Sequence, residues 1–252
     1  MLGAPTLTAM AALRSGAGYA RLGVPESTMK GVTGAVEVVG LPLPDGASGH
    51  LGPSSVDRIL AAAGDSDVVV VGPGIGRHPE IRECVHKVAT LIDRPLILDA
   101  DGIVAFGGEA MALTQRRCPT VLTPHAGEMS ALLDVSVETV NGDRVGVARR
   151  AAELTGATVL LKGFHSIIAA PSGEVWMVTT GGPILATAGS GDVLAGVIAA
   201  LATSCDPTMA AWAGAWVHGA AADAIANIHP TGMVAGDLLD VVPLIIGDLL
   251  DG

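Results

Sequence analysis

Aromatic side chains are nearly missing from this chain: Phe, Tyr and Trp together make up 2% of 252 residues. A core without rings has to be aliphatic. Half of the residues are hydrophobic, so Ala, Val, Leu and Ile can supply that core, and side chains this small favour helices packed tightly on a sheet. Positive charge is also scarce. Lys and Arg number 14 against 25 Asp and Glu, a formal charge of −11, which argues against nonspecific nucleic-acid binding and against an anionic membrane surface. Any phosphate-bearing ligand then has to be held by backbone amides, a few cations or a metal ion. Cysteine is limited to Cys84, Cys118 and Cys205, an odd number without metal-site spacing, which suits reduced thiols in a cytoplasmic protein. Long apolar runs are missing as well: Val193 to Ala202 carries Gly196 and is followed by Asp206, Pro207 and His218, too short to span a membrane. The N-terminus lacks the basic start and continuous apolar core of a signal peptide.

What the chain does have is a glycine-rich turn running straight into a helix, ATAGSGDVLAGVIAALA from Ala186 to Ala202. Val193, Leu194, Val197, Ile198 and Leu201 keep one helical face, so the helix is expected to begin close to Asp192. First-turn amides have no intrahelical partner, and Gly189, Ser190 and Gly191 leave them open to a phosphate group. Asp192 can then be read in two ways: as a carboxylate serving the helix dipole, or as a general base beside a bound phosphate. Glycines on both sides of a small hydroxyl residue favour the second reading, because an ordinary cap does not need them.

In chain order, Met1 to Gly18 reads as an Ala-rich helix closed by Gly16 and Gly18, followed by a strand Tyr19 to Pro25. An α/β domain more often begins with a strand, so a first strand is expected to be missing from this numbering. Val36 to Val39 suggests another strand, Leu41 to Pro53 a loop and Ser54 to Ala63 a helix. Strand-like runs follow at Asp67 to Val71, Pro95 to Leu98, Thr120 to Leu122 and Thr158 to Leu161, with helical stretches between the first of them. This alternation predicts a parallel sheet covered by helices on both faces. After Lys162 the pattern becomes a hairpin, HSIIAA and EVWMVTT around Pro171, Ser172 and Gly173, hence an antiparallel edge. A second Ala-rich helix from Pro207 to Asn227 and the segment AGDLLDVVPLIIGDLL complete the chain, with no internal repeat and no linker between two domains.

The strand ends carry the polar residues. GPGIG at Gly72 to Gly76, Asp99 and Asp101, the TPHAGE loop with His125 and Glu128, and Lys162 to Ser166 each follow a strand, and in a parallel sheet such ends line the edge where ligands bind. GPGIG offers a backbone surface but is not GxGxxG, and a tight turn is the commoner explanation for it. His125 either faces the cleft or is a hydrogen-bonded structural residue. Glu128 opens a helix, where a capping role competes with a functional one. Asp99 and Asp101 are candidates to hold Mg²⁺ through water, although turn formation accounts better for Asp101. Lys162 is either a solvated strand-end charge or a phosphate contact; His218 and His229 read as packing or surface residues.

GPGIG, LDADG, TPHAGEM, LLKGFHSII and TAGSGDVLAG, in this order, resemble the ADP- or ATP-dependent NAD(P)H-hydrate dehydratases of the ribokinase-like superfamily, from the first helix to DLLDVVP. The resemblance implies a single ribokinase-like domain over 1–252, three-layer α/β/α with a mainly parallel central sheet and an antiparallel edge hairpin, lacking its first strand. It implies cofactor repair: ADP or ATP phosphorylates the hydroxyl on the S-epimer of a hydrated nicotinamide ring, phosphate leaves and the double bond returns. Asp192 would be the base and contact the hydrate; Gly189, Ser190 and Gly191 would form the anion hole. Lys162, Gly163, Phe164, His165, Ser166 and Gly191 would line the adenine nucleotide, and Ala4, Gly74 and His125 would contact the hydrated dinucleotide. Mg²⁺ would accompany the phosphates, with Asp99 and Glu128 as candidate metal residues, in a cytoplasmic homotetramer with neither nucleic-acid nor membrane partners.

Where many members have TGGTGD this chain has TAGSGD; Ser190 keeps a hydroxyl and Ala188 is small, so the cradle is expected to survive. Gly181-Gly182-Pro183 replaces an Asn-Pro-Gly-like segment. Three rival readings remain: a kinase of the same fold acting on a pyrimidine or thiazole alcohol, a nicotinamide-dependent dehydrogenase using GPGIG, and a non-catalytic nucleotide-binding module.

Overall fold

The computed structural model of the chain describes residues 2–32 and 35–250. Met1, with which the expected first helix opens, lies outside the described residues. Helix α1 (Gly3–Arg14) ends before Gly18, because Gly16 takes a left-handed conformation and the amides of Ser15 and Ala17 turn back onto the Ala12 carbonyl. Strand β1 (Arg21–Pro25) pairs in parallel with β2 (Val39–Leu43) as a separate two-stranded sheet. The expected strand at Val36 to Val39 therefore lies later, and the expected loop from Leu41 starts only beyond Leu43. Pro42 hides the strand in the sequence. The Val39 amide bonds to Ala20 across the pair, so by alternation the Pro42 backbone faces away from β1, where a missing N–H does no harm.

Helix α2 (Val56–Gly64) leads into the main sheet: β3 (Val69–Val71), α3 (Pro79–Leu91), β4 (Leu96–Leu98), α4 (Asp101–Val104), β5 (Thr120–Leu122), α5 (Ala126–Leu133), α6 (Val137–Gly142), α7 (Arg144–Thr155), β6 (Thr158–Leu161), β7 (Ser166–Ala169) and β8 (Val175–Val178). The six strands lie in chain order, parallel from β3 to β6 and antiparallel through β7 and β8. Helices α8 (Ser190–Leu201), α9 (Pro207–Ile228) and α10 (Ala235–Leu250) follow.

Strand alternation divides the core between two faces. Leu96, Leu98, Leu122 and Leu161 pack with Ile81, Val85, Leu132 and Ala148 from α3, α5 and α7 on one face. Ile97, Val121, Leu160 and Ile168 pack with Leu194, Ile198, Ala211 and Ala215 from α8 and α9 on the other. Helices α1 and α10 join α8 and α9 through Ala11, Val193, Val197, Ala221 and Leu238. Small residues make this approach close enough to be useful: a Cβ on Gly196 of α8 would lie 2.2 Å from the Thr8 carbonyl oxygen of α1. Between β1 and β3 lies a cavity of about 630 Å³, lined by Leu22, Val24, Val68, Val70 and, from α1, Leu2 and Ala9.

Candidate active site

The parallel strands bring their C-terminal ends to one edge, and the loops after β3, β4, β5 and β6 meet the start of α8 there. At its centre is Lys162, just past β6. Its side chain is 19% exposed, so it is not a solvated strand-end charge. Nζ donates to Asp99 Oδ1 at 2.8 Å and lies 3.7 Å from Glu128 Oε2. Burial by itself would lower the ammonium pKa, but Asp99 and Glu128 outweigh that and raise it. Asp99 is buried after β4, and the same oxygen accepts from the Thr123 hydroxyl at 2.7 Å.

Glu128 and His125 lock the start of α5 reciprocally. His125 Nδ1 accepts from the amides of Gly127 at 2.9 Å and Glu128 at 3.2 Å, while Glu128 Oε2 accepts from the His125 amide at 2.8 Å. With Nδ1 accepting, Nε2 carries the ring proton, and it lies 3.2 Å from Glu128 Oε1. The capping role is thus real for both residues, and the His125 ring is largely exposed. Both candidate metal residues are engaged: Asp99 holds Lys162 and Thr123, and Glu128 holds His125 and Lys162. No group of three or more metal-ligating side chains occurs among the described residues, so the carboxylates do not fit a protein-only magnesium cage.

Asp101 does not form a local turn. It accepts from the Gly76 amide at 3.1 Å and from Arg77 Nε at 2.7 Å, tying the loop after β3 to the loop after β4. Gly72 serves the same contact, since a Cβ there would lie 1.7 Å from the Asp99 carbonyl oxygen. Gly72 lies six positions before His78, which caps α3, so GPGIG does not open a helix as a dinucleotide-binding turn does.

Helix α8 starts at Ser190, two residues before the expected Asp192, with Gly189 left-handed at φ 92° ahead of it. The Ser190 hydroxyl donates to the Leu185 carbonyl at 2.8 Å and its amide faces the Thr187 carbonyl at 3.4 Å. Gly191 and Asp192 supply the next amides of that turn. A Cβ on Gly191 would lie 3.2 Å from Lys162 Nζ, which places the buried ammonium over the cradle. The half-buried Asp192 has its pKa pushed up to about 6, by burial first and by the charge of Asp99 next, against the pull of Lys162. Leu7 and Ala235 close on Gly189 from α1 and α10, and Ala4 lies on the preceding turn of α1, its carbonyl accepting from the Thr8 hydroxyl at 3.2 Å.

The loop from Lys162 to Ser166 presents Phe164, 74% exposed, stacked on His165 with ring centroids 4.0 Å apart. Sequence reading missed what holds it. Arg144, at the start of α7, donates to the carbonyls of Phe164 and Leu161, and its guanidinium fills the space beside Gly163. No local pattern announces Arg144, which is 17 and 20 positions away from the carbonyls it holds. Nor does any announce His218, read as packing or surface: it is buried, and its Nε2 lies 2.9 Å from the Ser190 carbonyl oxygen.

The profile of the NAD(P)H-hydrate dehydratase family matches residues 1–244. A bifunctional NAD(P)H-hydrate repair enzyme of Salinibacter ruber is 42% identical over 98% of this chain and 46% of its own length. An ADP-dependent (S)-NAD(P)H-hydrate dehydratase of Neisseria meningitidis is 36% identical over 94% of this chain and 78% of its own length. The ADP/ATP-dependent NAD(P)H-hydrate dehydratase of Bacillus subtilis, co-crystallised with ATP and Mg²⁺ and soaked with CoA, superposes with a TM-score of 0.80 at 28% identity, covering 98% of this chain and 87% of that one. The chain spans about half the length of the bifunctional relatives it matches. The expected architecture is found, a ribokinase-like α/β/α fold with a mostly parallel sheet and an antiparallel edge. The chain belongs to the NAD(P)H-hydrate dehydratase family.

Proposed function

We propose that this chain catalyses the ADP- or ATP-dependent dehydration of the S-epimer of NAD(P)H hydrate. The observation that carries the reading is Asp192: a half-buried carboxylate with a pKa of about 6, in the first turn of α8, beside the open amide of Gly191 and the ammonium of Lys162. A base of that pKa is ionised at neutral pH and still basic enough to take a proton from a hydroxyl. As Asp192 takes that proton, the ring oxygen attacks the terminal phosphorus and the nucleotide leaves one phosphate shorter. The amides of Gly189 and Gly191, the Ser190 amide once it leaves its 3.4 Å contact with the Thr187 carbonyl, and the Lys162 ammonium meet the charge on the transferring group. Phosphate then departs with the C–O bonding pair, a far better leaving group than hydroxide, and loss of a ring proton restores the double bond.

In the same reading Lys162, Gly163, Phe164, His165 and Ser166 receive the adenine nucleotide, with the exposed Phe164 ring as a stacking surface. Ala4, Gly74 and His125 contact the hydrated dinucleotide. Mg²⁺ would accompany the nucleotide phosphates and supply charge neutralisation there, without a cage of protein ligands. Exposed Leu244, Leu249 and Leu250 on α10 support assembly into the homotetramer, which works in the cytoplasm. Residues 1–252 form one domain, and the gap between β1 and β3 takes one further strand.

The test adds the protein to hydrated NADH with Mg²⁺ and either ADP or ATP and follows the reduced-nicotinamide absorbance. Recovery that requires nucleotide is expected and identifies the donor; a folded, nucleotide-binding protein that restores nothing overturns the reading.

A further inference from the structure

His218 is contributed by α9, yet its ring reaches the cradle at the start of α8. Nε2 lies 2.9 Å from the Ser190 carbonyl oxygen, and a carbonyl only accepts, so Nε2 carries the proton and donates it. Burial pushes the imidazole pKa down to about 4, and the ring is neutral at working pH. Thr180 fixes its depth: a Cβ on the neighbouring Gly219 would lie 2.4 Å from Thr180 Oγ1, so α9 has no slack at this level.

The Ser190 carbonyl and the Gly191 N–H are the two ends of one peptide unit. A hydrogen bond accepted at the oxygen draws electron density through the conjugated C–N bond and makes the N–H a stronger donor. That N–H belongs to the residue on which a Cβ would lie 3.2 Å from Lys162 Nζ. The Ser190 hydroxyl, donating to Leu185, holds the same residue from its other side.

We propose that His218 is a positioning residue for the anion cradle: by donating to the Ser190 carbonyl it holds the entry into α8 and strengthens the Gly191 amide as a donor to a phosphoryl oxygen. This rests on the cradle being the phosphate site of the proposed reaction. A strengthened amide matters most where charge builds up during transfer, so its loss lowers kcat more than nucleotide affinity.

Two variants of similar length separate donation from packing. His218→Gln keeps a donor within reach of the Ser190 carbonyl, and His218→Met removes it. The readouts are the amide proton shift of Gly191, ADP binding, and kcat and KM for the nucleotide. The Met variant is expected to move the Gly191 amide proton upfield and to lower kcat about tenfold, with KM changed less than about threefold; the Gln variant is expected to restore both to near native. Met and Gln variants that match each other in shift and in kcat overturn the proposal. Should His218→Met fail to fold, His218→Asn replaces it, because Asn is too short to reach Ser190. A Gly191 shift that follows the donor in a native protein without nucleotide-dependent turnover overturns the dehydratase reading instead and leaves the contact through Ser190 standing.

Discussion

As the proposed base, Asp192 would serve the reaction at the expense of the fold. Its pKa is about 6 in the folded chain against 3.8 for the free side chain, so between these values the folded state binds the proton more tightly than the unfolded state. Stability from this group therefore falls as pH rises from about 4 to 6 and stays lost above that. The shift corresponds to about 3 kcal/mol, which partial exposure reduces to about 1–2 kcal/mol. Asp192→Asn should then melt a few degrees higher than the native protein at pH 7 while turnover falls by about 10²–10⁴-fold. Calorimetry and the absorbance assay check the two halves separately, and a variant that is less stable and fully active contradicts both. The same carboxyl predicts a one-proton acid limb near pH 6 in the rate profile. Lys162 counteracts the upward shift, so in Lys162→Met that limb should move above pH 6, and the uncompensated Asp99 should lower stability by about 3–5 kcal/mol. The place of Asp192 in the first turn of α8 was legible in the sequence because a glycine-rich turn ahead of a helical period is a local pattern. Lys162 was ambiguous because its partner Asp99 lies 63 positions away.

At the scale of elements, periodicity located the helices and glycine set their spacing. Helix α8 was readable from its apolar face, but its first residue was not: helical geometry begins at Ser190, directly after the left-handed Gly189, and no apolar residue marks that turn. Strand β2 was misplaced because Pro42 reads as a breaker unless its edge position is known. The α1–α8 contact was legible only as composition. Gly196→Ala places a Cβ 2.2 Å from the Thr8 carbonyl oxygen, a backbone atom that cannot turn aside, and should destabilise by about 1–3 kcal/mol despite the better helix propensity of Ala. Gly247→Ala on α10 meets no atom within 4 Å and should stabilise by up to about 1 kcal/mol. Urea midpoints of the two variants on opposite sides of native confirm that packing, not propensity, keeps glycine at 196; two shifts of the same sign refute it.

For the whole molecule, sheet class was legible from the alternation of strands and helices, whereas the separation of β1 and β2 from the main sheet was not, since pairing between distant strands leaves no local signal. Four consecutive valines from Val68 to Val71 read as a strand buried on both faces, yet they are only partly buried, while β4, β5 and β6 are buried throughout. Both sides of the gap present backbone. Val69 and Val71 bond to β4, so the Val70 N–H and C=O face the cavity; Ala20 bonds to β2, so Arg21 and Gly23 face it from β1. Arg21 reaches Ala62 and Ser66, just ahead of β3, and the two strands therefore start at the same end. Helix α1 lines the gap and leads into β1, which is the position of a crossover helix after a parallel strand. An N-terminal extension of about five β-branched and leucine residues, joined to α1 by a glycine-serine turn, should pair with both edges. Hydrogen exchange at the Val70 and Gly23 amides should slow and the melting temperature should rise, and proline substitutions in the extension should abolish both effects. Equal exchange with and without the extension would mean that the gap closes by other means. Slow exchange in the 252-residue chain itself, with a doubled mass, would assign the gap to a second copy.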